Sequence, residues 1–254
     1  MEKKKKGVMQ SIPGWAWVLI SLAAAILLWY ALSINPKTAR SFPFIPAILE
    51  AAKKMVDSPM MTMVRPRQGG FCYTDAEYRT ALADAEQLLA HGADGLVFGF
   101  LNADGTLDEA RTKELVALAG TKTKVFHRAI DVAPDWKKML GRLIELGVDR
   151  VLTSGQAPDV FYGIDTICEM IEFAQGAIQI LPGAGINLRN VDRILDATGC
   201  DQIHLANFTQ KFDTSTQNNR SIFYGGALYP PEDRYDVING DYIAQIRAHG
   251  EPNA

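Results

Sequence analysis

From Met60 onward the chain switches regularly between two hydrophobic periods. Short apolar runs rich in β-branched and aromatic residues occur at MTMVR (61–65), GLVFGFL (95–101), KVFHRAI (124–130), RVLTSG (150–155), IQILPG (178–183) and QIHLAN (202–207). Each has the length of a buried strand. Between them lie amphipathic stretches of helical period: DAEYRTALADAEQLLAHG, DEARTKELVALAG, PDWKKMLGRLIELG, GIDTICEMIEFAQ and NLRNVDRILDATG. In ELGVDRVL, HGADGLVF and ATGCDQIHL a glycine closes a helix just before the next strand, the expected stop signal. Strands about 25–30 residues apart, nearly continuous in apolar character, predict a parallel sheet covered by helices. An open doubly wound sheet and a closed eight-stranded barrel both satisfy this pattern. The GxGxxG fingerprint is absent, which weakens a dinucleotide-binding reading.

The first 59 residues read differently. MEKKKK precedes an eighteen-residue stretch without charge, Trp15 to Leu32, and apolar positions extend it to 12–34. At 1.5 Å per residue, about 20 residues cross a hydrocarbon core. Trp15, Trp17, Trp29 and Tyr30 sit near its ends, as an aromatic belt does, and Lys3 to Lys6 place the N-terminus inside. A cleaved signal peptide would need a shorter core and a small-residue site, and Ala31–Ser33 after Trp29 and Tyr30 is a poor one. The expectation is a transmembrane helix that anchors the chain through residues 12–34. Pro43 and Pro46 then break the chain, and Ile45 to Val56 reads as a short amphipathic helix with Ile48, Leu49, Ala52 and Val56 on one face.

Charge and cysteine content narrow the function. The net charge is −3, so no global basic field recruits nucleic acid. Cys72, Cys168 and Cys200 are odd in number and form no CxxC, which indicates neither a disulfide framework nor a structural zinc site. Reduced thiols suit a cytoplasmic protein. A single span with its N-terminus inside would export residues 35–254, in conflict with that compartment.

Polar residues collect at the carboxyl ends of the strands: Arg65, His127, Arg128, Asp131, Thr153, Ser154 and His204. Barrel enzymes place function there. In RPRQGG, Arg65 and Arg67 leave a strand for a glycine loop and suit an anionic group; the alternative is a structural ion pair to a carboxylate such as Asp131. His127 suits a general acid or base, or a metal ligand; the alternative is a hydrogen-bonded core histidine. If the strand runs to Ile130, His127 and Ala129 share one face, Arg128 and Ile130 the other. Cys72 is a soft donor for Cu(I). Met60, Met61 and Met63 could add thioethers but are more often core. LPGAGI (181–186) offers Gly183, Gly185 and free amides to an anion, with TSGQ (153–156) as the neighbouring turn.

Two resemblances follow. SFPFIPAILEAAKKM after a basic start and an apolar stretch resembles the N-terminus of ABC transporter permeases over residues 1–59. VRPRQGGFCYTDAEY (64–78), DGLVFGFLNADGTLDEART (94–112), VFHRAID (125–131), LGVDRVLTSGQ (146–156) and LPGAGI (181–186) resemble the CutC family, named for copper homeostasis and built on a TIM-type barrel. DVINGDYIAQI (236–246) is similar to that family's last helix. The family has two βα units before the RPR strand, and here the membrane stretch stands in their place. The expected architecture is therefore a membrane helix and linker over 1–59, then over 60–254 an α/β, incomplete TIM-type barrel of about six parallel strands. Its edges, 61–65 and 202–207, would be open to pairing in a homo-oligomer. The resemblance implies copper homeostasis through binding of Cu(I), or of a small anionic ligand, at the strand ends. An enzyme using His127 as acid or base, and a transporter component, remain the alternatives.

Overall fold

The computed structural model describes residues 45–219, 221–222 and 233–250. The stretch at 12–34, read as a membrane helix, lies outside the described residues. Among the described residues, no helix is long and apolar enough to cross a membrane. The chain divides into two compact units.

The first unit comprises Met1–Met60 with Glu86–Ala93. Its described part contains helix α1, Ile45–Met55. Of the face expected to be apolar, Leu49 is buried, but Ile48 and Val56 are exposed. Lys53 Nζ donates to the carbonyl of Gly92 at 2.6 Å.

The second unit, Met61–Ala85 with Asp94–Ala254, holds a five-stranded parallel sheet. Its strands are β1 (Met61–Met63), β2 (Gly95–Phe98), β3 (Thr123–Phe126), β4 (Arg150–Thr153) and β5 (Gln179–Pro182), in that spatial order. The register runs Met61 to Gly95, Gly95 to Thr123, Val125 to Arg150 and Arg150 to Gln179. Helices α2 (Asp75–Ala90), α3 (Glu109–Ala119), α4 (Trp136–Glu145), α5 (Ile164–Ala174) and α6 (Val191–Thr198) alternate with the strands. β2 to β5 bury most of their positions on both faces, whereas β1 is half-exposed. That is the burial of a parallel sheet covered by helices, with β1 as its edge. Phe98 lies at the centre, stacked on Phe100 at 6.0 Å and edge-on to Phe126 at 6.2 Å. Burying one such ring is worth about 2–3 kcal/mol.

Local signals explain where the elements begin and end. Thr74 and Glu77 form a capping box before α2: the Thr74 amide donates to Glu77 Oε2 at 2.8 Å, and the Glu77 amide to Thr74 Oγ1 at 3.3 Å. Asp108 and Asp135 cap α3 and α4 by accepting from the amides of Arg111 and Lys138. Gly147, the expected stop in ELGVDRVL, takes φ 79° just past α4.

Three expectations need correction. The sixth strand, 202–207, contributes a single parallel bridge, His204 to Gly183, with the His204 amide donating to Pro182 O at 2.8 Å. A buried parallel strand needs a neighbour on each side, and this segment finds one. Among the described residues the sheet is therefore open, with β1 and the His204 segment at its two edges. The strand through 124–130 stops at Phe126, and Arg128–Val132 forms a 3₁₀ turn, so the alternation of His127 with Ala129 and of Arg128 with Ile130 does not hold. The tail does not become helical at Asp236. Phe208–Phe212 (β6) and Arg234–Ile238 (β7) form an antiparallel pair, and the last helix, α7, spans Gly240–Gly250. β-branched Val237 and Ile238 pair with Thr209 and Phe208, and Asn239 then turns the chain into α7 by accepting from the Tyr242 amide.

Candidate functional site

At the carboxyl ends of the strands the second unit encloses a cavity of about 370 Å³. The loop after β1 supplies Arg65 and Phe71; the turn after β3 supplies His127 and Arg128; the turn after β5 supplies Ala184, Gly185 and Ile186. Met63 and His204, from the two sheet edges, face the same space, with Leu152, Leu205 and Ala206 adding apolar surface.

His127 is 4% exposed, and its ring lies 4.8 Å from that of Phe71. The Arg65 guanidinium stands over the other ring partner, 5.1 Å from the Phe71 centroid. Nδ1 of His127 accepts from the Ala129 amide at 3.2 Å. An acceptor Nδ1 on a neutral ring leaves the proton on Nε2. Nε2 is buried and has no hydrogen-bond partner. Burial, and then the positive charge of Arg65, push the His127 pKa down to about 4. At neutral pH the ring is thus a neutral donor whose N–H is unmatched.

Gly99 makes this placement sterically permissible. A Cβ there would lie 2.3 Å from Cε1 and 2.5 Å from Nδ1 of His127. Sequence reasoning missed Gly99, although a glycine inside the run GLVFGF is the usual mark of close approach.

Asp131 organises the neighbouring wall. Its carboxylate side chain is 6% exposed and accepts from Arg128 Nε at 2.7 Å. It also accepts from Thr153 Oγ1 at 2.5 Å, from the Ser154 amide at 3.0 Å and from the Gln156 amide at 3.3 Å. Arg128 Nη2 donates to Ser154 Oγ at 2.8 Å. Thr153, Ser154 and Asp131 therefore stand behind Arg128 and fix its guanidinium, rather than lining the cavity. The ion pair to Asp131 weighed as the alternative role for Arg65 and Arg67 is made instead by Arg128, because the 3₁₀ turn brings Arg128 round to its own i+3 residue.

The two arginines of RPR separate in role. Arg65 lines the cavity and gives one Nη to Gly69 O at 2.7 Å. Arg67 pairs with Glu77 at 2.6 Å, donates to Cys72 O at 2.9 Å and covers the Tyr73 ring at 5.0 Å. Arg67 thus latches the glycine loop. Cys72 is exposed and is not among the residues lining the cavity. Gly183 carries the bridge to His204, while Gly185 with φ 78° follows Ala184 with φ 84°. A positive φ at alanine is strained and is held here by the Val160 amide, which donates to Ala184 O at 2.9 Å. Nothing in LPGAGI announces that strain. Asn190 Nδ2 secures Gly185 O at 2.9 Å.

The family model described as the CutC family matches residues 36–209. The chain belongs to the CutC family. CutC of Treponema denticola is 50% identical over 198 residues, covering 78% of this chain and 80% of that protein. The human copper homeostasis protein cutC homolog is 37% identical over 201 residues, covering 79% and 74%. The crystal structure of CutC from Streptococcus agalactiae superimposes with a TM-score of 0.59 at 30% identity, covering 63% of this chain and 79% of that one. The chain is accordingly a member of a family named for copper homeostasis. The CutC match starts at residue 36, inside the stretch read as permease-like, and that second resemblance finds no support.

Of the donors at the cavity, Met63 and His204 are the thioether and imidazole that suit Cu(I), while the expected pair Cys72 and His127 does not come together there. His127 has no lone pair free: Nδ1 is occupied and Nε2 is protonated. Two guanidiniums oppose a cation, and the thiol of Cys72 stands outside the lining. Among the described residues no three His, Cys, Asp or Glu side chains come together to hold a metal ion.

Proposed function

We propose that the cavity is a binding site for a small organic anion. The observation that carries this reading is the meeting of Arg65 and Arg128 in one cavity that no carboxylate lines, with His127 packed in its wall and its buried Nε2–H left without an acceptor among the described residues. Guanidinium groups and a buried donor left without an acceptor suit an oxyanion. The amides of Gly185 and Ile186 donate to no acceptor among the described residues and belong to residues of the same cavity wall. Met63, Phe71, Leu152 and Ile186 would hold the apolar body of the ligand.

An enzymatic reading gives His127 the role of a hydrogen-bond donor that polarises a substrate oxygen. Its depressed pKa leaves it a poor general acid near pH 7.

Calorimetric titration of the full chain with benzoate and phenyl phosphate, in parallel with a Cu(I) competition assay, tests the proposal. Anion binding that falls at least tenfold in Arg65→Gln and in His127→Phe is the expected outcome. Copper affinity that collapses in Cys72→Ala and His127→Phe, with no anion binding, would overturn it in favour of a metal site.

A further inference from the structure

The charges around the cavity do not balance evenly, and this bears on the class of ligand. Arg65 has no carboxylate partner among the described residues; it meets the Gly69 carbonyl, the Phe71 face and the Tyr73 hydroxyl. Arg128 is neutralised by Asp131 at 2.7 Å, and that carboxylate is nearly buried. A second carboxylate, Asp159, stands behind the glycine turn: a Cβ at residue 185 would lie 2.7 Å from Asp159 Cβ and 3.7 Å from Oδ2. Asp159 Oδ1 accepts from the Phe161 amide at 2.9 Å and the Tyr162 amide at 3.3 Å, which holds it there. His127 is a neutral donor, and partial burial lowers the pKa of His204. One guanidinium therefore faces a bound ligand uncompensated.

Resting on the anion-site reading above, we infer that the cavity selects singly charged organic anions, a carboxylate or a phosphodiester, over dianionic phosphate monoesters. A second negative charge on the ligand would find no countercharge of its own, because Asp131, behind Arg128, already neutralises that guanidinium and Asp159 adds negative charge behind the glycine turn. One delocalised charge matches the one unpaired guanidinium, whereas a second would have to compete with Asp131 for Arg128.

The test compares methyl phenyl phosphate, a monoanion, with phenyl phosphate, a dianion at pH 8 because its second pKa is near 6. Both fit the same apolar wall. Calorimetry on the full chain should show the monoanion binding at least tenfold more tightly. Asp131→Asn removes the countercharge of Arg128 and should narrow that preference to less than threefold. Asp159→Asn keeps the turn's acceptor oxygen, so it preserves the fold, and should narrow the preference at least twofold. Tighter binding of phenyl phosphate by the unaltered chain overturns the charge selection while leaving an anion site in place. Failure of both ligands to bind overturns the anion site itself.

Discussion

The amide of Ala129 donates to Nδ1 of His127 across 3.2 Å, and this one bond decides what the histidine offers the cavity. It fixes the tautomer and turns Nε2 into a donor. The bond exists because the strand gives way to a 3₁₀ turn directly after His127, which folds the Ala129 amide back on the ring.

The first prediction concerns pH. The His127 pKa is about 4 in the folded chain against an ordinary value of 6.5. Between those values the unfolded chain binds more protons than the folded one, so stability falls as pH drops from about 6.5 to about 4. The full effect from a shift of this size is of the order of 3 kcal/mol. His204 is shifted in the same direction and adds to the trend. Urea unfolding of the parent chain and of His127→Gln across this window should show a shallower pH dependence in the variant. Equal slopes would assign the effect to other groups.

Gly99→Ala tests the space reserved for the ring. The new Cβ would sit 2.3 Å from His127 Cε1, and a buried ring between Phe71 and Phe126 has little room to retreat. Overpacking of this kind costs about 1–3 kcal/mol. The melting temperature should fall, and ligand affinity should fall with it. An unchanged melting temperature would mean that the ring shifts freely to make room for the added methyl.

Much of this was legible in the sequence, for identifiable reasons. The βα order was readable because strand runs and amphipathic helices have different periods, and because glycines such as Gly147 mark helix ends locally. Arg65, His127 and Arg128 stood at strand ends, and the structure brings all three to one cavity. What the sequence hid depends on distant partners. Arg65 and Arg67 look equivalent until Glu77 captures the second. QIHLAN has the composition of a strand, but strand formation needs neighbours, and it pairs only at His204. The 3₁₀ turn at 128–132 has no signature in VFHRAID, yet it rearranges every polar contact there. Ala184 at positive φ is likewise invisible, since the strain is imposed by Val160 and borne by the surrounding structure.

Asp131 and Arg65 should separate stability from binding. Asp131 is nearly buried and satisfies Arg128 Nε, Thr153 Oγ1 and the amides of Ser154 and Gln156. Asp131→Ala strands those donors and a guanidinium, which costs about 3–5 kcal/mol. Arg65 is exposed, and among the described residues it holds a carbonyl, a ring face and the Tyr73 hydroxyl but no carboxylate. Arg65→Gln should change stability by roughly 0.5 kcal/mol or less. It should nonetheless weaken anion binding at least tenfold, about 1.4 kcal/mol. Denaturant midpoints and titrations on the same preparations measure both. A large stability loss in Arg65→Gln would recast that residue as structural.

The two sheet edges should be the least protected part of the sheet. Among the described residues β1 pairs on one side, with β2, and the Val64 amide continues that pairing to Val97 O at 2.8 Å. The His204 segment is joined to Gly183 by a single bridge. β3, by contrast, lies between β2 and β4 and buries Val125 and Phe126. Local opening at an edge breaks few hydrogen bonds and exposes little apolar surface, so it needs less free energy than opening the centre. Hydrogen exchange followed by mass spectrometry should therefore show fast exchange at 61–64 and 202–207, and slow exchange at 124–126. An exposed edge is also a template for a second chain. If the edges pair in an oligomer, their protection should rise with protein concentration while that of β3 stays constant. Protection at β1 equal to that at β3 in dilute solution would show that something within the chain covers the edge, and the open-sheet account would have to be abandoned.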